Sequence, residues 1–486
     1  MKERRPTGMG RGTVVLLISH GVFLLSGCII HFGLGRYLGP GDYGIFGVVL
    51  ALMTTMNLVL TSGFPRGVAK YIAEDHRALP AIARKALVIQ GAAALLAFGL
   101  YFGLSGVLAN SLFGDPELTK YIRVSALVIP ASAVYALYQG YLNGVRSFSR
   151  QAIASVLSSV AKVAAVFLLV WWGLSVSGAI FGYLIAAAVG ALLCWRFLGP
   201  LGQRTTDFAA SKLLSFGIPA TIHSVMMLLI MNTGLYAAKA LGQGAAEVGY
   251  YTAASTIARV SYTLFVALAA TLLPSISRSI ADNNPAATRG YIRDSLRYML
   301  MLLIPGTVLM VATAPELLTL TYSAKYVDAA APLAVLAFAL GLLAVFMVLN
   351  SVIMGSGKPQ VALGMSLPLM VVCIILNLVL IPSYGLMGAA WATFAVSCLG
   401  ACAGSAYVLA RFRALVDPKA VVRICAAAAV IYVVAAIIPT PGPWLPLVYV
   451  GLFGLYFGLL GVTRELGRKD VEVLRRMMPT TVSEEQ

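Results

Sequence analysis

Charged residues are scarce in this sequence, and acidic residues are the scarcest. Of its 486 residues only 11% are charged, and 18 are Asp or Glu, whereas an ordinary soluble domain is about 25% charged. The chain is 60% hydrophobic with a mean hydropathy of +0.89, and apolar runs of about 20 residues, the length of a membrane-spanning helix, recur along it. This composition excludes an ordinary soluble domain and predicts an all-α polytopic membrane protein. A transmembrane β-barrel would show short alternating segments instead.

Other absences narrow the class further. The sequence has no G-x-x-x-x-G-K-[ST] segment, so a nucleotide-binding P-loop is not expected. Its six cysteines fall in apolar runs without the histidines or carboxylates that a zinc site needs, so we predict no metal site. A basic start precedes the first apolar run, at about residues 13–34, which lacks a clear cleavage site. We therefore expect that run to be retained as a membrane helix.

The positions of charges, prolines and glycines divide the chain into about fourteen transmembrane helices. Of the 35 Lys and Arg residues, 28 lie on one set of alternate segments and five on the other. The positive-inside rule then places both termini in the cytoplasm of a cell membrane. Because the basic excess lies beside anionic lipid, no nucleic acid partner is expected. The predicted spans are 12–34, 43–63, 86–110, 121–142, 151–172, 176–196, 211–238, 248–273, 292–313, 328–350, 360–381, 386–410, 420–438 and 443–463.

The first half of the chain resembles the second. Four segments match in the same order: 34–48 with 238–253, 66–87 with 274–296, 141–160 with 351–370, and 171–187 with 382–397. Both copies begin on the same predicted side, which indicates parallel six-helix repeats with a substrate site between them. The predicted domains are an N-terminal lobe (1–198, helices 1–6), a cytoplasmic linker (199–212), a C-terminal lobe (213–413, helices 7–12), helices 13–14 (414–465) and a cytoplasmic tail (466–486).

Two cations fall deep inside predicted spans. Lys162 lies roughly 16 Å and Arg259 roughly 22 Å from the cytoplasmic ends of their helices at 1.5 Å per residue. No acid falls at a similar depth, and buried cations are normally paired. An anionic substrate could supply the missing charge, because Lys and Arg both suit phosphate oxygens.

Further polar residues in the spans extend this candidate site. His223, His20, Asn57 and Asn232 are substrate-binding candidates. The alternative for the histidines is a neutral ring bonded to backbone carbonyls, and for the asparagines an interhelical hydrogen bond. His31, Arg36 and Lys239 are candidates for an outer funnel, although snorkelling to the interface also explains the two longer side chains.

Two segments carry a family resemblance. "RYLGPGDYGIFGV" after helix 1 and "YLNGVRSFSRQAIAS" between helices 4 and 5 resemble the polysaccharide biosynthesis transporters. These are the O-antigen type, lipid-linked oligosaccharide flippases of the multidrug/oligosaccharidyl-lipid/polysaccharide exporter superfamily. The first segment contains their "LG-x-x-x-[FY]G" pattern at Leu38, Gly39, Tyr43 and Gly44. The resemblance covers nearly the whole chain.

The resemblance implies a fold, a substrate and partners. It implies two V-shaped lobes that alternate in access and flip an isoprenoid (di)phosphate-linked oligosaccharide from the cytoplasmic to the outer leaflet. It also implies a cationic lumen between the lobes, and we assign Lys162 and Arg259 to that lumen. The implied partners are the lipid-linked glycan, membrane lipids and polysaccharide assembly proteins, and we expect a monomer. No cofactor is expected beyond a coupling ion, H⁺ or Na⁺.

Three other functions compete with this hypothesis. A multidrug or cation antiporter of the same superfamily would use acids in its lobes, where this chain has bases. A peptidoglycan-precursor flippase would share the cationic lumen. A membrane glycosyltransferase would need a catalytic acid or base on a sizeable external loop, and the longest such loop here, near 314–327, is short. We therefore expect no enzyme activity.

Overall fold

The protein is built from helices that are long and apolar enough to cross a membrane. The computed structural model describes residues 9–75, 79–199, 210–438 and 442–466, and those ranges contain helices and no strand. Within them, eleven segments have the length and hydropathy of membrane spans. The predicted class, an all-α polytopic membrane protein, is confirmed.

Three of the eleven segments have more than 50 residues each. Ile18–Glu74, Phe148–Leu198 and Pro359–Phe412 have 57, 51 and 54 residues, whereas about 20 residues span a bilayer. Each is interrupted by a glycine with non-helical backbone angles, at Gly39, Gly173 and Gly385 respectively. Counted as two crossings each, they would give the fourteen spans expected from the sequence. The exact number stays a prediction.

The chain forms two compact units. Unit 1 comprises Met1–Ala253 and Ser366–Ala392, and unit 2 comprises Ala254–Met365 and Thr393–Gln486. In chain order the helices are α1 Met9–Thr61, α2 Phe64–Glu74, α3 Leu79–Gly103, α4 Ser105–Val107, α5 Leu118–Ala126, α6 Val128–Gly144, α7 Phe148–Leu169, α8 Ser175–Leu198, α9 Ala210–Ala240, α10 Ala245–Thr263, α11 Val266–Ala281, α12 Pro285–Ala312, α13 Ala314–Thr321, α14 Ala330–Gly355, α15 Pro359–Phe412, α16 Pro418–Ile437 and α17 Leu445–Val462.

This division differs from the predicted lobes, because α9, the first part of α10 and part of α15 belong to unit 1. The two-lobe arrangement therefore stays a prediction. Most of the predicted linker, from residue 200 to 209, lies outside the described residues, as does the predicted tail from residue 467 onward. Two π-helical turns, Leu108–Leu112 and Val170–Leu174, and two 3-10 turns, Ala324–Ala329 and Gly442–Trp444, complete the described secondary structure.

The backbone repeats the same special turns in both halves of the sequence. Gly39 and Gly242, which follow matched Leu residues, have φ angles of 74° and 78°. Arg146 and Gly357 have φ angles of 55° and 79°, and two residues after each of them a long helix begins, α7 and α15 respectively. Glycine adopts positive φ readily, and Arg146 is the one residue of the four for which it is unusual. The recurrence of positive φ at matched positions supports the internal repeat.

Glycines allow α1 and α10 to approach closely within unit 1. A methyl group on Gly44 would overlap the backbone carbonyl of Ala245, and one on Gly249 would overlap the carbonyl of Pro40. Both glycines follow the matched turns of the repeat. Small residues at such crossings are a general device of membrane helix packing.

Unit 2 packs its last two helices against α12. A cluster of buried aliphatic and aromatic side chains joins α12 to α16 and α17. Beside it, the Glu465 carboxylate, 6% exposed, accepts from Arg297 Nε at 2.8 Å and from Arg423 Nη1 at 3.1 Å. The predicted helices 13 and 14 are therefore fastened to unit 2 by both apolar packing and a buried charge cluster.

Candidate functional site

A polar cavity of about 840 Å³ lies within unit 1. Its walls come from α1, α2, α6, α7 and α8. Three cations line it, Arg66, Lys70 and Lys162, and none of the described residues in its wall is an Asp or Glu. The uncharged polar residues in the wall are Asn57, Thr61, Ser132, Tyr135, Gln139, Asn143, Gln151, Ser155, Ser158, Ser159 and Tyr183.

One face of α7 supplies five of the residues that line this cavity. Gln151, Ser155, Ser158, Ser159 and Lys162 all border the cavity. They are spaced at i, i+4, i+7, i+8 and i+11, which is the spacing of residues on one side of an α-helix. The sequence therefore places a continuous polar stripe on a helix that is otherwise apolar.

Lys162 is held among aromatic rings rather than beside a carboxylate. The residue is 8% exposed, and its Nζ lies 4.7 Å from the centroid of the Phe23 ring and 5.5 Å from that of Tyr183. Within the described residues, no Asp or Glu oxygen lies within 4.0 Å of it. Cation–π contacts offset part of the cost of burying a charge. They leave the ammonium hydrogens without strong acceptors.

Two amide oxygens in the same cavity wall lack hydrogen-bond partners. Asn57 Oδ1 and Gln151 Oε1 are buried and accept no hydrogen bond from the residues that the structure describes. An unsatisfied buried acceptor costs about 1–3 kcal/mol, so a hydrogen-bond donor that binds either oxygen would recover that free energy. Sugar hydroxyls or ordered water would both supply the missing donors.

Close packing of α7 on α8 fixes the position of Lys162. A methyl group on Gly182 would overlap the backbone of Val166, one turn beyond Lys162. Ser158 Oγ donates to the Ala186 carbonyl oxygen at 2.8 Å. These two contacts lie on either side of Lys162 along α7. They hold its backbone at a fixed distance from Tyr183.

A second cavity of about 380 Å³ shares part of the same wall. Phe23, Gln139, Gln151 and Ser155 border both cavities. The second adds His20, whose ring stacks on Phe23 with the ring centroids 6.2 Å apart. Of the predicted site residues, Lys162 and Asn57 thus border the first cavity and His20 borders the second.

The remaining substrate-binding candidates lie elsewhere. Asn232 is fully buried in α9 and donates to Thr55 Oγ1 at 3.4 Å, which is a helix-packing contact with α1. His223, also in α9, is half-buried, and its Nδ1 has no hydrogen-bond partner within the described ranges. Arg259 is half-buried in the part of α10 that belongs to unit 2. The convergence of Arg259 with Lys162 stays a prediction.

The three outer-funnel candidates differ in their surroundings. His31 Nδ1 lies 2.9 Å from Tyr43 Oη, and both residues belong to α1. Arg36 is exposed. Lys239 is 8% exposed, and its Nζ donates to Asp115 Oδ2 at 2.7 Å. The structure therefore gives Lys239 an internal counterion, and its role in an outer funnel stays a prediction.

Sequence reasoning missed two cations of the cavity. Arg66 and Lys70 fall between the predicted spans 43–63 and 86–110, where a loop was expected, but they lie four residues apart in α2 and both border the cavity. Lys70 also lies 3.9 Å from Glu74, one turn away. The spacing of four residues between these cations, with apolar residues around them, was the sequence signal that indicates one face of a helix. The polar stripe of α7 was readable from the sequence in the same way.

The comparisons with known proteins agree with this architecture. The profile of a family described as "Polysaccharide biosynthesis protein" matches residues 9–280, more than half of the chain. The chain belongs to this family. The family name refers to polysaccharide biosynthesis, and the matched region contains all the walls of both cavities.

Curated relatives are distant but cover most of the chain. Stage V sporulation protein B of Bacillus subtilis is 22% identical over 418 residues, which is 79% of this chain and 80% of that protein. A membrane protein of Methanocaldococcus jannaschii is 24% identical over 390 residues, covering 76% of this chain and 90% of that protein. The chain is thus similar to proteins of both a bacterium and an archaeon over most of its length.

Two solved structures share the fold. The lipid II flippase MurJ, in an inward closed conformation, matches with a TM-score of 0.75 at 14% identity, over 93% of this chain and 99% of that one. An inward-facing multidrug resistance MATE family transporter of the MOP superfamily matches with a TM-score of 0.65 at 17% identity, over 80% of this chain and 94% of that one. At these identities the likeness shows the fold alone. The neighbours are a flippase and a transporter.

Proposed function

We propose that this protein flips an isoprenoid phosphate- or diphosphate-linked oligosaccharide from the cytoplasmic to the outer leaflet of the cell membrane. One observation carries the proposal: the buried ammonium of Lys162 borders a polar cavity and lacks a carboxylate partner. A phosphate would supply the opposite charge, and charge-assisted hydrogen bonds to phosphate are among the strongest that a protein makes.

The other lining groups suit a glycan attached to that phosphate. Asn57 and Gln151 offer acceptors without donors, and Ser155 and Ser159 offer hydroxyls in the same wall. Sugars present many hydroxyl donors and acceptors, so a wall of this kind replaces the water that the sugar loses. The apolar isoprenoid tail would stay in the hydrocarbon of the membrane while the head group crosses.

The proposed cycle is alternating access, with both termini in the cytoplasm. Arg66 and Lys70 would attract the phosphate first, and Lys162 would hold it further along the cavity. The head group must bind comparably in both open states, since a ligand shifts an equilibrium by its differential affinity.

Movement of H⁺ or Na⁺, the membrane potential or consumption of the product would drive the cycle. Membrane lipids and polysaccharide assembly proteins are the proposed partners of a monomer.

Two other transport functions make different demands on the cavity. A peptidoglycan-precursor flippase would carry the same diphosphate, and the likeness to a lipid II flippase favours it as the second candidate. An antiporter of organic cations would require negative charge, but the three charged residues bordering the cavity are cations. We therefore rank the cation antiporter last.

The direct test is depletion of the protein in its own cells. The proposal expects lipid-linked glycan to accumulate on the cytoplasmic leaflet, where an added periplasmic or extracellular glycan-modifying enzyme cannot reach it. Accumulation of lipid II alone would support the second candidate instead. Normal export of every lipid-linked glycan, together with new sensitivity to cationic dyes, would contradict the proposal and favour the antiporter.

A further inference from the structure

A separate basic pocket lies in unit 2, at one end of its helices. It has a volume of about 450 Å³ and forms where the α11–α12 turn, the α14–α15 turn and the last residues of α15 meet. Arg289, Lys358 and Arg411 border it, and no described residue in its wall is an acid. All of these residues belong to unit 2.

The three cations of this pocket have no carboxylate partner. Within the described ranges, no Asp or Glu oxygen lies within 4.0 Å of Arg289, Lys358 or Arg411. The neighbouring Arg278, which does not border the pocket, is different, because its Nε lies 4.0 Å from Asp282. The pocket wall thus groups three cations that have no carboxylate partner within the described ranges.

Arg289 is held in place by the backbone. Its Nε donates to the carbonyl oxygen of Phe412 at 3.1 Å, which satisfies one acceptor at the end of α15. The terminal guanidinium nitrogens make no other described contact. A planar guanidinium fixed at Nε offers two further donors with the geometry that suits phosphate oxygens.

The buried floor of the pocket carries hydroxyl groups, and its exposed rim carries the cations. Ser279 Oγ and Thr288 Oγ1 lie 2.8 Å apart on the floor, and both residues are almost fully buried. Ile280 and Phe412 add apolar surface beside the cations. Polar groups beneath a basic rim with apolar neighbours suit an amphipathic ligand whose anionic end enters first.

We propose that this pocket binds the phosphate of an anionic phospholipid head group. The pocket lies among the segments that carry most of the basic residues, which the positive-inside rule assigns to the cytoplasmic surface. Basic pockets between helices on that side recognise anionic head groups. The proposal is independent of the cargo, because the pocket shares no residue with the cavity of unit 1.

The test measures lipid binding to purified protein by native mass spectrometry. Phosphatidylglycerol is titrated against phosphatidylcholine with wild type, with the double variant Lys358→Ala/Arg411→Ala, and with Arg278→Ala/Arg293→Ala. The last variant removes the same charge from exposed positions outside the pocket. Because each basic residue near an anionic lipid contributes about tenfold or less to binding, loss of the two pocket cations is expected to weaken phosphatidylglycerol binding about thirtyfold. The control is expected to change it by less than about threefold, as long-range charge alone would.

Each outcome decides the question. Selective weakening in the pocket variant, with phosphatidylcholine unaffected, supports the proposal. Equal weakening in both double variants shows an unspecific charge effect and overturns it. Complete displacement of phosphatidylglycerol by millimolar inorganic phosphate assigns the pocket to the free anion and overturns the lipid source. A Lys358→Gln/Arg411→Gln variant with unchanged thermal unfolding separates these results from misfolding.

Discussion

The two copies of the repeat use the same helix face in opposite ways. Measured from the starts of α7 and α15, the positions of Gln151, Ser158 and Lys162 correspond to Ala362, Leu369 and Cys373. In the first copy this face borders a polar cavity, whereas in the second copy Ala362 and Cys373 are fully buried. The compared positions are thus cavity wall in α7 and tightly packed in α15.

The first test of this comparison introduces a lysine into α15 at the position that corresponds to Lys162. Cys373→Lys places an ammonium where the native side chain is fully buried, with the Ile230 carbonyl oxygen 4.0 Å from its sulfur. A buried unpaired charge costs several kcal/mol, so we expect almost no folded protein in the membrane. Fluorescence-detected size-exclusion chromatography measures this, with Cys373→Ala as the control. Normal folding of the lysine variant would show that the second copy also tolerates a charge there.

The second test removes the cation from the first copy. Lys162→Cys makes α7 match α15, and the proposed role of the charge predicts at least about a tenfold loss of export, the effect of 1.4 kcal/mol. Folded yield should not fall, because an unpaired buried charge has been removed. Glycan export in a depletion strain is the measurement, and Lys162→Arg is the matched variant that keeps the charge. Full export by the cysteine variant would remove the basis for the proposed substrate.

The third test compares Lys162 with a cation that has its own counterion. Lys239→Ala leaves the Asp115 carboxylate, 24% exposed, without its partner at 2.7 Å. We expect a loss of about 1–2 kcal/mol in stability, since a partly buried carboxylate loses a charged hydrogen bond. Thermal unfolding in detergent measures it, and Lys325→Ala, at an exposed position, is the control. Equal unfolding of the two variants would show that the ion pair contributes nothing.

The smallest expected effect concerns the polar stripe itself. Gln151→Ala copies Ala362 of the second repeat and removes a buried oxygen that lacks a donor. We expect unchanged or slightly higher stability, because an unsatisfied acceptor is removed. Export should fall by about threefold, the value of one neutral hydrogen bond to the cargo. Destabilisation without a change in export would assign Gln151 to packing rather than to the cavity.

The fold class was predictable from the sequence because the membrane imposes simple constraints. Apolar runs of one bilayer length, glycine turns and the asymmetry of basic residues indicate a polytopic helical protein with an internal repeat. The place of Lys162 was predictable for the same reason, since a charge within such a run must face something polar. That argument does not depend on knowing any neighbour of the lysine.

Contacts between distant residues were not predictable in this way. Lys239 and Asp115 are 124 residues apart, and neither local sequence predicts that they form an ion pair. Arg66 and Lys70 were mistaken for loop charges because a short helix between spans resembles a loop in composition. Asn232 was ambiguous, since the same residue type either lines a cavity or ties two helices together.

The most direct measurement asks whether positive charge at position 162 binds phosphate. Lys162→Cys protein is treated with a cationic aminoethyl methanethiosulfonate or with its anionic sulfonatoethyl counterpart, and binding of an isoprenyl phosphate is measured by native mass spectrometry. Wild type treated with each reagent controls for the native cysteines. We predict weak binding before treatment, recovery with the cationic reagent and none with the anionic one. Equal binding in all three states would contradict the account.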